Sequence, residues 1–179
     1  MAESFVNSVT RAVGVVTSSS AGSVGVQTNL ITGITTTNVT VGDIVDNSNY
    51  IAGTKVSSIG VNSTTVDRDS TNTTAATSQT VKYLGLTTAY TSASGTKSII
   101  IGGTFANNTE SEVNLTVHLY DNSASLTPAI VSKVPIPNGS SFVLSDTGKT
   151  VLEGLDAIRV YCDTANGVDV QLGILKGVS

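Results

Sequence analysis

Between Glu112 and Tyr120 every odd position is apolar: Val113, Leu115, Val117 and Leu119 alternate with Asn114, Thr116 and His118. A period of two is the mark of a strand with one buried face, because successive side chains on a strand point to opposite sides. Val168, Val170, Leu172 and Ile174 repeat the pattern near the C-terminus, and Ile158, Val160 and Cys162 carry it in the stretch before. Asn166-Gly167 lies between those two runs and predicts a tight two-residue hairpin turn. Ile99-Ile100-Ile101, residues 130–136 and Phe142-Val143-Leu144 bring the total to six or seven strands. Pro135 and Pro137 mark an edge or a strand end, since proline cannot donate to a ladder. Gly102-Gly103 reads as a bulge within its run. Residues 87–179 are therefore expected to form an antiparallel β-sandwich of jelly-roll or immunoglobulin-like kind. Only residues 152–155 hint at helix, one turn at most.

The first half has shorter runs. Fifty of the 179 residues are Ser or Thr and 24 are Val, a mix that fits pleated, half-buried surfaces joined by polar turns. Strand candidates at 29–34, 43–46, 55–59, 64–68 and 79–84 alternate with turn signals at Gly42-Asp43, Ala52-Gly53-Thr54 and Gly60-Val61-Asn62-Ser63. Five short strands predict a small β-barrel-like module over residues 23–86, with the junction to the sandwich at 85–94. The Thr- and Asn-rich stretch 70–78 reads as a protruding loop. Residues 1–22 read as an N-terminal arm, apolar at first and then flexible through Thr17-Ser18-Ser19-Ser20-Ala21-Gly22. Its apolar residues Phe5, Val6, Val9 and Val13 are the candidate partner-docking group.

Few residues are equipped for chemistry. The chain has one His (His118), one Cys (Cys162) and no Trp. Nucleophilic catalysis needs a Ser or Cys beside a base, and parity places His118 on the face opposite Val117, at a solvated or partner-facing sheet surface. Cys162 shares parity with Val160, which makes it a small buried hydrophobe. The clusters at 43–49 and 67–69 are oxygen-rich, as calcium requires, but the first lacks the spacing and terminal bidentate Glu of an EF-hand loop, and acidic residues in Asn-rich turns are ordinarily solvated. No Walker-type or dinucleotide glycine pattern is present. The expectation is no catalytic residue, no cofactor and no metal. A net charge of -4 with scattered Lys and Arg disfavours nucleic acid, and no run of 18 apolar residues predicts a membrane span. The start, MAESFVNSVTRAVGVV, lacks the basic and apolar regions of a signal peptide. One cysteine makes no internal disulfide, so packing or assembly must supply stability.

The order Thr96-Lys97-Ser98-Ile99-Ile100-Ile101-Gly102-Gly103, Phe105-Ala106-Asn107-Asn108, the alternating strand to Tyr120, Val134-Pro135-Ile136-Pro137-Asn138-Gly139, residues 151–158 and Val168-Asp169-Val170 resembles a β-sandwich module of tailed-bacteriophage virion proteins, cyanophage-like ones especially. The resemblance covers residues 87–176. Val41-Gly42-Asp43 with Ile51-Ala52-Gly53-Thr54-Lys55-Val56 is similar to a second short module of such proteins. The resemblance implies a structural virion protein, foremost a capsid decoration or cement protein bound to the exterior of assembled major capsid protein as a homo-oligomer such as a trimer. A neck, tail or short-fibre component is the alternative within that class. A carbohydrate-binding or adhesin module, using loops at 70–78 or 122–127, is the alternative outside it.

Overall fold

The structure, a computed structural model, describes residues 3–144 and 149–178. These residues are all β, with fifteen strands and no helix. The chain divides into two compact units: one of Gly14–Leu86 with Asp163–Ala165, the other of Met1–Val13, Thr87–Cys162 and Asn166–Ser179.

The expected arm is not an arm. β1 (Ser4–Val13) pairs antiparallel with the last strand of the chain, Val168–Val178, in register from Ser4↔Lys176 to Thr10↔Val170. β2 (Val16–Val24) belongs to the other unit. The Ser/Thr run reads as a linker only because its hydroxyls look like solvent-facing groups. In the fold they bond to backbone instead: Thr17 Oγ1 donates to Tyr83 O at 3.0 Å, and Ser20 Oγ accepts from Thr35 N at 3.0 Å.

In the N-terminal unit, β2 is joined by β3 (Leu30–Thr32), β4 (Ile44–Asp46), β5 (Val56–Gly60), β6 (Ser63–Val66) and β7 (Ala76–Leu84). The sheet order is β4-β7-β2-β3-β6-β5. Its two ends meet, since Val45 N donates to Thr54 O at 2.8 Å and Val56 N to Asp43 O at 2.9 Å, around a bridge between Ile44 and Lys55. A sheet curled this far hides most of its edges. Inside lie Val24, Ile31, Val45, Val66, Val81 and Tyr83, all buried. Val61-Asn62 makes the β5–β6 turn, with Asn62 at φ 51° as a tight hairpin requires. The stretch 70–78 does not protrude at its start: Ser70 is buried, and its Oγ donates to Gly25 O and accepts from Thr28 N.

The C-terminal unit is a β-sandwich. It adds β8 (Thr87–Thr91), β9 (Lys97–Asn107), β10 (Val113–Tyr120), β11 (Ala129–Ile136), β12 (Ser141–Leu144), β13 (Thr150–Leu152), β14 (Ala157–Cys162) and β15 (Val168–Val178). One sheet runs β1-β15-β9-β12, with β13 also on β9; the other runs β11-β10-β14-β8. The inward rows predicted by parity form one core, including Val113, Leu115, Val117, Val160, Cys162, Val170, Leu172 and Ile174. Phe105 is fully buried at its centre, 6.1 Å from the Phe142 ring. Two expectations fail here. Residues 152–155 are not helical, since Leu152 ends β13 as a buried core residue and Leu155 turns the chain at φ 73°. The expected junction holds a strand, β8, whose Thr-rich composition gives the core Ala89 and a partly buried Tyr90.

Candidate functional site

The outer face of the sandwich's five-stranded sheet gathers two of the four predicted docking residues, Phe5 and Val9, and cross-strand register explains how. Phe5, Leu175, Ile99 and Val151 sit directly opposite one another on β1, β15, β9 and β13. Strand parity turns this row away from the core, because their neighbours Val6, Ile174 and Ile100 point inward. Four residues further along β1 and β15, Val9, Gln171, Thr104 and Val143 form a parallel row on β1, β15, β9 and β12. Phe5 is 75% exposed and Val9 67%. Ile101, Val143 and Val151 are exposed as well.

Between the two rows lie Asn7, Gly173 and Gly102, again in register. The missing side chains leave a groove of about 430 Å³, walled by Phe5 and Ile101 and reached by Asn7, Gln171 and Thr104. Ile101 owes its outward aim to a bulge: β15 pairs Gly173 with Gly102 and Ile174 with Ile100, so Ile101 is the unpaired extra residue. The sequence placed that bulge one residue late. No charged residue lines the groove. At its borders charges are matched within the chain, Arg11 to Asp169 at 3.8 Å and Lys97 to Glu153 at 3.4 Å.

Of the four predicted docking residues, Phe5 and Val9 are available on this face. Val6 packs partly against the core. Val13 is a correction, being fully buried. Strict alternation from Phe5 would keep Val13 outside, but Ala12 at φ 59° and a register shift between Thr10 and Val13 flip its side. Sequence reading missed Ile101, Val143 and Val151, whose role depends on which strands become neighbours.

The remaining candidates occupy other places. His118 lies half-buried on the outer face of the four-stranded sheet, opposite Arg159 in register. Its Nδ1–H donates to Thr127 O at 3.1 Å, and its ring meets Tyr161 edge-on at 5.5 Å. Its Nε2 is buried and has no hydrogen-bond partner. Arg159 stacks on Tyr120, 3.7 Å from the ring centroid. Cys162 is buried in the core row, as its parity with Val160 predicts. The loop 122–127 is held by Asp121, whose carboxylate accepts from Ala124 N and Ser123 Oγ. Those two bonds, the backbone one first, hold that carboxyl below its ordinary value.

The acidic cluster at 43–49 spends its oxygens on its own chain. Asp43 is buried and accepts Thr40 N at 2.9 Å, Thr40 Oγ1 at 2.7 Å and Thr17 Oγ1 at 3.3 Å. Asp46 pairs with Lys82, and Asn47 Oδ1 accepts Asn49 N in an Asx turn. Asp67 accepts Lys55 N at 2.9 Å. Among the described residues no group of three or more His, Cys, Asp or Glu is placed to hold a metal ion. No helix there is long and apolar enough to cross a membrane. Asp43→Ala is expected to cost about 1–3 kcal/mol by stranding Thr40 N and the Thr40 hydroxyl, with Asp43→Asn recovering part of it. Urea titration of the two variants measures both.

No protein-family model, curated protein or solved structure matches this chain.

Proposed function

We propose that this chain is a structural virion protein that docks on the exterior of an assembled capsid of major capsid protein and stabilises it, as decoration or cement. The observation that carries the reading is the exposed apolar face of the five-stranded sheet, where Phe5, Val9, Ile101, Val143 and Val151 stand on a rigid scaffold with their charges matched at the borders. Such a face on a soluble module marks an interaction surface. The resemblance of residues 87–176 to phage virion sandwiches supplies the setting. In this reading the chain needs no catalytic group, no cofactor and no nucleic acid. Contacts of modest strength suffice, because repeated docking on a symmetric shell adds them as avidity.

Imaging native particles that contain the protein tests this. Density repeated over the shell exterior is expected, with particles lacking the protein less resistant to heat. Density confined to a single axis would overturn the shell assignment in favour of a neck or tail part.

A further inference from the structure

We propose that the glycine-floored groove is the contact point for a second copy of this chain, in an isologous pair where each Phe5 enters the groove of its partner. The inference rests on the reading of this sheet face as an interface, and names what covers its centre.

The first support comes from the glycines themselves. Glycine in a strand costs roughly 0.5–1 kcal/mol relative to alanine, so an internal position needs a reason. Gly103 has one: a Cβ there would come within 2.7 Å of Leu172 Cδ2. Gly102 and Gly173 have none among the described residues. A Cβ on Gly102 would meet only Leu144 O at 3.6 Å, and one on Gly173 only Gly102 O at 3.8 Å, both ordinary contacts. Neither sits in the left-handed region that favours glycine. Their missing side chains make room for something arriving from outside.

The second support is that the same face carries a projection as well as a hollow. Phe5, three-quarters exposed, stands at the groove's rim. A two-fold contact presents each surface feature on both partners, so a face with one knob and one hole can complement itself. Charge allows the approach. Arg11–Asp169 and Lys97–Glu153 are paired within the chain, so none of these four charges opposes the approach of a second copy. Asn7, Gln171 and Thr104 add a polar rim beside the exposed apolar side chains, the arrangement of a protein–protein contact.

Light scattering across a concentration series tests the pairing. The wild type is expected at twice the chain mass of 18.2 kDa. Gly102→Val should weaken the dimer at least tenfold by filling the groove, while urea titration shows it folded and no less stable, since Val suits a strand. Phe5→Ser should weaken it similarly, and His118→Ala, on the opposite sheet, should leave it intact. A monomer at every concentration, a trimer, or a dimer indifferent to both face variants would overturn the inference. Shell binding separates this from the functional reading. A monomer that still needs Phe5 to bind particles would sink the pairing alone, whereas a Phe5-dependent dimer that binds no particle would sink the docking role and leave the pairing standing.

Discussion

Phe105→Ala is expected to remove about 3–5 kcal/mol from the stability of the sandwich unit, the range for truncating a large buried aromatic. Phe105 has no exposed surface, and it lies between β15 and β12 in register with Val170 and Phe142. Its removal forfeits the burial of the ring, the tilted contact with Phe142 and the filling of the core centre. Neighbours cannot collapse freely into the space, because they are fixed by ladders on both sides of β9. Against a typical total of about 5–15 kcal/mol, the loss leaves a unit close to unfolding at physiological temperature. Urea unfolding followed by circular dichroism should show a lower midpoint at unchanged slope. By contrast Val143→Ser, one residue beyond Phe142 on the neighbouring strand and facing out, should change stability by less than about 1 kcal/mol. Equal effects from the two substitutions would mean that the assignment of faces is wrong.

That contrast also marks what is legible in a chain of this kind. Parity alone sorted the inward from the outward residues on β10, β14 and β15, and it put His118 outside and Cys162 inside before any strand had a neighbour. It worked because those strands are long enough for the period to repeat. It failed at Val13, where one residue of positive φ reverses the sides, and alanine gives no local sign of that conformation. It failed again for β2 and β8, in which Ser and Thr fill positions that polarity alone assigns to loops. A hydroxyl can satisfy a nearby carbonyl and then stand on a sheet, as Ser8 and Thr10 do by donating to Ala89 O. The candidate site was legible only in part for a different reason. Phe5 and Val9 belong to one strand, but the apolar face they complete comes from five strands. Its rows exist only once β1 lies beside β15 and β15 beside β9, and the last of those pairings joins residues about 70 apart in sequence.

Raising pH above about 10 is expected to destabilise the N-terminal unit, through two tyrosines in its core. Tyr50 is buried and donates its hydroxyl hydrogen bond to Thr28 O at 3.1 Å. Burial, with Tyr83 and Asp69 adding repulsion to the phenolate, pushes its pKa up to about 12. Burial also raises Tyr83, whose bond to the Thr64 hydroxyl opposes the shift. A folded pKa above the unfolded value near 10 means that the stabilising contribution is fully present below pH ~10 and is lost as pH rises towards ~12. In that window the unfolded chain releases a proton that the folded chain retains, so each pH step favours unfolding. Two pKa units correspond to roughly 3 kcal/mol for Tyr50 alone, and Tyr83 adds in the same direction. Tyr50→Phe separates the titration from the packing. It should cost about 1 kcal/mol near neutral pH by leaving Thr28 O without that donor, yet lose less stability than the wild type between pH ~10 and ~12. Urea midpoints for both proteins across that range, read beside tyrosinate absorbance, make the comparison. A wild-type midpoint unchanged up to pH ~12 would show that Tyr50 ionises as freely in the folded unit as in the unfolded chain, and the buried core assigned to it would have to be redrawn.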